Sequence, residues 1–238
     1  MRFLRCLLAI AMLPLVWGAA CSFVDVFQLI PASGGSVFSP GLLSIFGGLL
    51  AFLLVWTVLP APVRLYVLGH ELTHALWGLV FGAKVSKLKV GKSGGSVSLT
   101  KSNVWITLAP YFFPFWTMVV ALAAIVARCF VSPLPMPCIW LFAVGFTWCM
   151  HMCFTIRSLM QFQPDIQEYG RFFSYVLISL CNIILVIVWT VCTTEVTWKA
   201  AGRSLWQRTT SAYGTVATAS ESAFGFIAER IGTARPEN

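Results

Sequence analysis

The chain has 238 residues, 58% hydrophobic and only 10% charged, with a net charge of +8. An ordinary soluble domain is about a quarter charged, so this composition and the mean hydropathy of +0.84 exclude that class and predict an all-α polytopic membrane protein. The basic residues are scattered through loops and tail, which fits contact with anionic lipid headgroups and argues against nucleic acid as a partner.

About six transmembrane helices fit the length, with no room for a sizeable further domain. Arg2 and Arg5 precede an apolar run from Phe3 to about Val24. Its charged start and Gly18-Ala19-Ala20-Cys21 have the shape of a signal peptide or lipoprotein site. Gly18, however, stands where the lipoprotein pattern wants a large aliphatic residue, so an uncleaved first span is expected. A Pro/Gly/Ser-rich loop, Pro31 to Pro40, leads to a second span from Gly41 to Leu59, stopped by Pro60-Ala61-Pro62. The third span, Val63 to Phe81, ends at Gly82. Next, Lys84 to Val90 and Ser96 to Thr100 alternate with period two around a Gly-rich turn containing Gly94 and Gly95. That pattern predicts a β-hairpin, whose edge can take up an extended segment; a plain surface loop fits the same residues. A fourth span, Val104 to Phe130, is predicted to kink or break at Pro110 and Pro114. A tight loop, Ser132 to Pro137, precedes the fifth span, Cys138 to Met160; polar Gln161 to Glu168 leads into the sixth, Arg171 to Val191. In the tail, Thr193 to Asn238, part of Ala217 to Ile231 reads as an interfacial amphipathic helix and the last residues as disordered. This divides the chain into N-terminal helices 1–62, a membrane core 63–192 and a polar tail 193–238, with no internal repeat. Charge alone pulls two ways: the Arg2/Arg5 end and the denser Lys84–Lys101 cluster each claim the cytoplasm, and the denser cluster is expected there. The eight Cys fall mostly in apolar runs and read as small buried hydrophobes. Cys129 and Cys138 flank a loop and are placed to pair only in an oxidising compartment.

The third span carries His70-Glu71-Leu72-Thr73-His74, an HExxH motif. Residues i and i+4 share a helix face, so His70 and His74 can direct imidazole nitrogens at one metal ion. Glu71 lies beside them, where it can take a proton from water activated there. The bland alternative is a packed polar cluster in which two His and a Glu satisfy one another. Ionisable groups in a spanning segment are costly and are usually functional, so hydrolysis within or at the edge of the bilayer is the favoured reading.

Catalytic zinc usually has three protein ligands and an open position. Metzincin spacing would place Gly and His three and six residues after His74, but Trp77 and Val80 stand there. His151 sits mid-span between Cys149 and Cys153, off the face those two cysteines share, and also reads as a packed interface histidine. Asp165 is the better candidate; Pro164-Asp165 equally reads as a helix N-terminus, which favours a carboxylate without any metal. Glu168 is a third possibility.

His70-Glu71-Leu72-Thr73-His74-Ala75-Leu76, then Gly82, Gly94-Gly95, Asn103, Ala109-Pro110-Tyr111 and Asp165 occur in the order found in the site-2 protease family of intramembrane zinc metalloproteases. The resemblance covers about Tyr66 to Ser174. It implies a compact, divergent member in which His70, His74 and Asp165 bind Zn2+ and Glu71 is the general base. It also points to Asn103, Gly94 and Gly95 as substrate-binding residues. Pro164-Asp165-Ile166 replaces the family's Leu-Asp-Gly, the upstream Asn-Pro element is missing, and there is no PDZ-like insertion. The expected partners are a transmembrane protein substrate and the lipid bilayer, and the expected location is a bacterial inner membrane. Non-proteolytic rivals are a metal transporter, against which the lack of paired broken helices counts, and a scaffold, against which an intact Glu71 counts.

Overall fold

The computed structural model describes residues 2–91, 94–131 and 136–233. Within them the apolar runs fold into nine helices and one two-stranded sheet: α1 (Arg2–Ala32), α2 (Pro40–Val58), α3 (Val63–Val80), β1 (Val85–Val90), β2 (Gly95–Leu99), α4 (Val104–Phe112), α5 (Phe115–Phe130), α6 (Pro137–Leu159), α7 (Pro164–Tyr169), α8 (Arg171–Thr193) and α9 (Trp198–Thr233).

Four of these helices, α1, α2, α6 and α8, are long and apolar enough to cross a membrane. α4 and α5 would together make a fifth span, but they meet at a 75° bend. The break falls at Phe113-Pro114, where a proline lacks the N–H that a continuous helix needs. The expected six spans also counted α3. With 18 residues it has the length, but Arg64, His70, Glu71 and His74 dilute its apolar character, and it is not among the membrane-length apolar helices.

α2 packs on α6, and α1 lies against both α8 and α9. The α2–α6 contact is built on two glycines. A Cβ on Gly48 would collide with the Phe142 carbonyl of α6, and one on Gly145 with the Ile45 carbonyl of α2. Such backbone approach is how helices associate where burial from water gives no drive. At one end of the bundle, the Arg5 guanidinium donates to the Glu168 carbonyl at 2.7 Å and lies over the Tyr169 ring. The start of α1 and the short helix α7 therefore share that end.

β1 and β2 pair antiparallel, as the alternating pattern predicted, with an irregularity between Ser86 and Lys89 where Lys87 takes a left-handed φ of 50°. The hairpin does not project as a free basic loop. It folds back along α3, with Leu99 against Gly78 and Gly95 against Val67 and Glu71.

The tail departs most from expectation. α9 is one continuous helix rather than a short segment within Ala217 to Ile231, and it runs antiparallel along α1. Arg208 donates two hydrogen bonds to Asp25, at 2.7 and 2.6 Å, and Ser204 donates one at 2.8 Å. Thr209 fills the space above Gly18, and the Tyr213 hydroxyl donates to the Ala11 carbonyl at 2.7 Å. The pattern-based reading missed this helix because its outer surface is polar and its partner lies at the other end of the sequence. The expected disorder at the C-terminus falls on residues 234–238, outside those described. The tight loop over Ser132 to Pro137 lies largely outside them too. Cys129 and Cys138 are free and exposed.

Candidate metal centre

Four elements bring the site together. α3 presents His70 and His74 one turn apart, with ring centroids separated by 4.9 Å. α7 presents Asp165 in its first turn, beside Ile166, which is buried in the same apolar cluster as Leu108, Ala109 and Phe173. The Ser174 hydroxyl donates to the Ile166 carbonyl at 3.1 Å and ties α7 to α8. α4 supplies the groups that orient both partners.

His70 Nε2 and His74 Nε2 lie 3.5 and 3.4 Å from Asp165 Oδ2. Among the described residues these three form a metal-capable group, with ligand atoms within 4.8 Å of one another. Zinc with bonds of about 2.0–2.2 Å places tetrahedral ligand atoms roughly 3.3–3.6 Å apart, so the two histidine–Asp165 separations fit. The tautomers fit as well. His74 Nδ1 lies 2.8 Å from the Ile106 carbonyl, which can only accept, so the ring proton sits on Nδ1 and the Nε2 lone pair is free. A lone pair facing a carboxylate oxygen at 3.4 Å calls for positive charge between them, either a proton or a metal cation. His70 Nδ1 is 3.3 Å from the Tyr66 hydroxyl, which in turn is 3.1 Å from Ser158 Oγ. Histidine ligands are typically held in this way through the nitrogen that does not bind metal.

Asp165 is fixed independently. The Tyr111 hydroxyl donates to its Oδ2 at 3.1 Å, and Asn182 Nδ2 donates to the Tyr111 carbonyl at 3.0 Å. Burial alone would raise the Asp165 carboxyl, but when the Nε2 atoms of His70 and His74 carry protons their hydrogen bonds outweigh it and hold the group well below the ordinary carboxylate range.

Glu71 is 7% exposed and lines a cleft of about 760 Å³ bounded by α3, β2, the end of α6 and α7. Gly95 of β2 lies over it so closely that a Cβ there would stand 2.7 Å from Glu71 Cγ. Gly94 also borders the cleft, with a φ of +148° that favours glycine. Ser96, Val97 and Leu99 continue the β2 wall, and Arg157, Gln161 and Gln163 make the opposite mouth polar.

Three candidates of the sequence reading find other places. Asn103 is not among the cleft-lining residues; its Oδ1 caps α4, accepting from Trp105 N and Ile106 N at 2.9 and 3.0 Å. It therefore steadies the turn whose Ile106 carbonyl orients His74. His151 is buried with its Nε2 lacking a partner among the described residues, and it stands outside the ligand group. Glu168 lines the cleft but is not in that group either. Tyr66 was legible in principle, since it sits four residues before His70 on the same helix face. Tyr111, Ile106, Ser158 and Asn182 act from other elements, and spacing along the chain carries no signal for them.

No family model, no curated protein and no solved structure matches this chain.

Proposed function

We propose that this chain is an intramembrane zinc metalloprotease of the site-2 protease type. It would hydrolyse peptide bonds of membrane-embedded or membrane-proximal proteins, act in a bacterial inner membrane, and have α3 as its sixth membrane-inserted segment. The observation that carries the reading is the convergence of His70 Nε2, His74 Nε2 and Asp165 Oδ2, with Glu71 beside them in the wall of a cleft. His70, His74 and Asp165 would hold the metal, which when bound supplies a Lewis acid that polarises a carbonyl and makes water nucleophilic near neutral pH. Glu71 accepts the proton of the attacking water on its carboxylate and returns it to the leaving amine. A transmembrane segment must unwind to expose its peptide bonds. Among the described residues β2 pairs only with β1, so its other edge is available to hold the unwound segment extended. Arg157 and Gln161 keep the cleft mouth polar enough to admit water.

Metal content and cleavage test this together. Purified wild type should hold about one zinc per chain, and His74→Ala and Asp165→Ala should lose it. Glu71→Gln should keep the metal while cleavage of reconstituted single-span peptides falls by about 10²-fold or more. A cleaving Glu71→Gln protein, or wild type without metal after zinc-replete expression, would overturn the reading.

A further inference from the structure

Cys149 and Cys153 stand one turn apart on α6, and both thiols are free. Their Sγ atoms lie 4.0 Å from each other. Cys149 is buried and Cys153 half-buried, in an apolar cluster that also holds Phe52 and Trp56 of α2. The metal centre described above uses neither thiol. His151, between them in sequence, turns to a different face of the helix and borders a small space with His70 and Thr73.

The sulfur separation is that of two ligands on one ion. Metal–thiolate bonds of about 2.3 Å that meet at roughly 120° span about 4.0 Å, so an ion fits between the sulfurs without moving the helix. The rest of the surroundings narrows which ion. Among the described residues no His, Asp, Glu or further Cys joins the pair to make a group of three. Structural zinc takes four ligands, and calcium and magnesium take oxygen; the pair suits none of them. Thiolates with few partners suit Cu(I), a soft monovalent ion.

Charge is balanced within the same face of α6. On binding, each thiol gives up its proton to water, so two thiolates and one Cu(I) carry a single negative charge. Such a charge is costly in hydrocarbon unless it is paired. Arg157 stands one turn beyond Cys153 on that face. Its guanidinium lies 6.0 Å from the centre of the Trp56 ring, and it has no carboxylate partner among the described residues. Cys153 is less than two turns from the end of α6 at Leu159, which gives an ion a short way in from the membrane boundary.

We propose that Cys149 and Cys153 form a second metal site, selective for Cu(I), on the α2 side of α6 and separate from His70, His74 and Asp165.

The experiment titrates the full chain, purified in detergent without oxygen, with the coloured Cu(I)–bicinchoninate complex and a phosphine reductant. Wild type should take about one Cu(I) per chain from the chelator, and X-ray absorption at the copper edge should show sulfur neighbours. Cys149→Ser and Cys153→Ser should each lose that ion while keeping the wild-type circular dichroism. Cys129→Ser/Cys138→Ser should keep it, since those exposed thiols lie outside the pair. Zinc content, read in the same samples, should not change with copper. No uptake by wild type, or copper bound without sulfur neighbours, would overturn the proposal without recourse to any variant. So would a Cys149→Ser protein that still takes the ion from bicinchoninate.

Discussion

The Ile106 carbonyl decides which nitrogen of His74 is free. Because it accepts from Nδ1, the Nε2 lone pair points at Asp165, and a spacing on one helix becomes a binding site. Tyr111 does the same for the carboxylate. Tyr111→Phe should keep the fold and weaken zinc binding about tenfold, the lower end of what orienting partners contribute, measured by competition with a chelator. Gly95 leaves no space over Glu71, so Gly95→Ala should displace that carboxylate. Zinc content should stay at the wild-type level while turnover falls at least about tenfold; unchanged turnover would mean that β2 is freer to move than its packing implies. His70, Glu71 and His74 were legible because i, i+4 spacing on a helix is a local property, and Asp165 because Pro164-Asp165 begins one. The residues that orient them were not, since Tyr111 and Asp165 are 54 positions apart and meet only through the packing of α4, α7 and α8.

At the level of elements, hydrophobic runs bounded by Pro and Gly placed α2, α3, α6 and α8 within a few residues of their observed limits, and the prolines foretold the break between α4 and α5. The hairpin was legible from its period-two alternation, but its fold-back along α3 was not, because that depends on Gly78 and Gly95 meeting side chains distant in sequence. The α2–α6 contact depends on Gly48 and Gly145 in the same way. Gly145→Leu forces a side chain into the Ile45 carbonyl, and overpacking of this kind costs roughly 1–3 kcal/mol. A lower midpoint of thermal unfolding in detergent is expected, with zinc still bound below that midpoint. A variant as stable as wild type would mean that the two helices can separate freely.

Across the whole molecule, α6 and α8 both reach the metal centre, through Ser158 and Ser174. α1 packs on both α8 and α9. A chain ending at Thr197 would leave Asp25 without the Arg208 guanidinium and Gly18 without Thr209. A carboxylate stranded on an otherwise apolar helix is costly in hydrocarbon. The shortened protein should be cut more rapidly by protease within α1 than the full chain, and Asp25→Asn should restore part of the resistance. Equal resistance of both chains would show that α1 is held by α8 alone.

The pairing of Asp25 with Arg208 also sets a schedule. Asp25 of α1 is synthesised 183 residues before its partner. At the pace of translation that interval is roughly ten to forty seconds. Until then Asp25 must remain near water or be shielded by some other component of the insertion machinery. A product terminated before Arg208 carries an exposed acid that quality-control proteases can recognise.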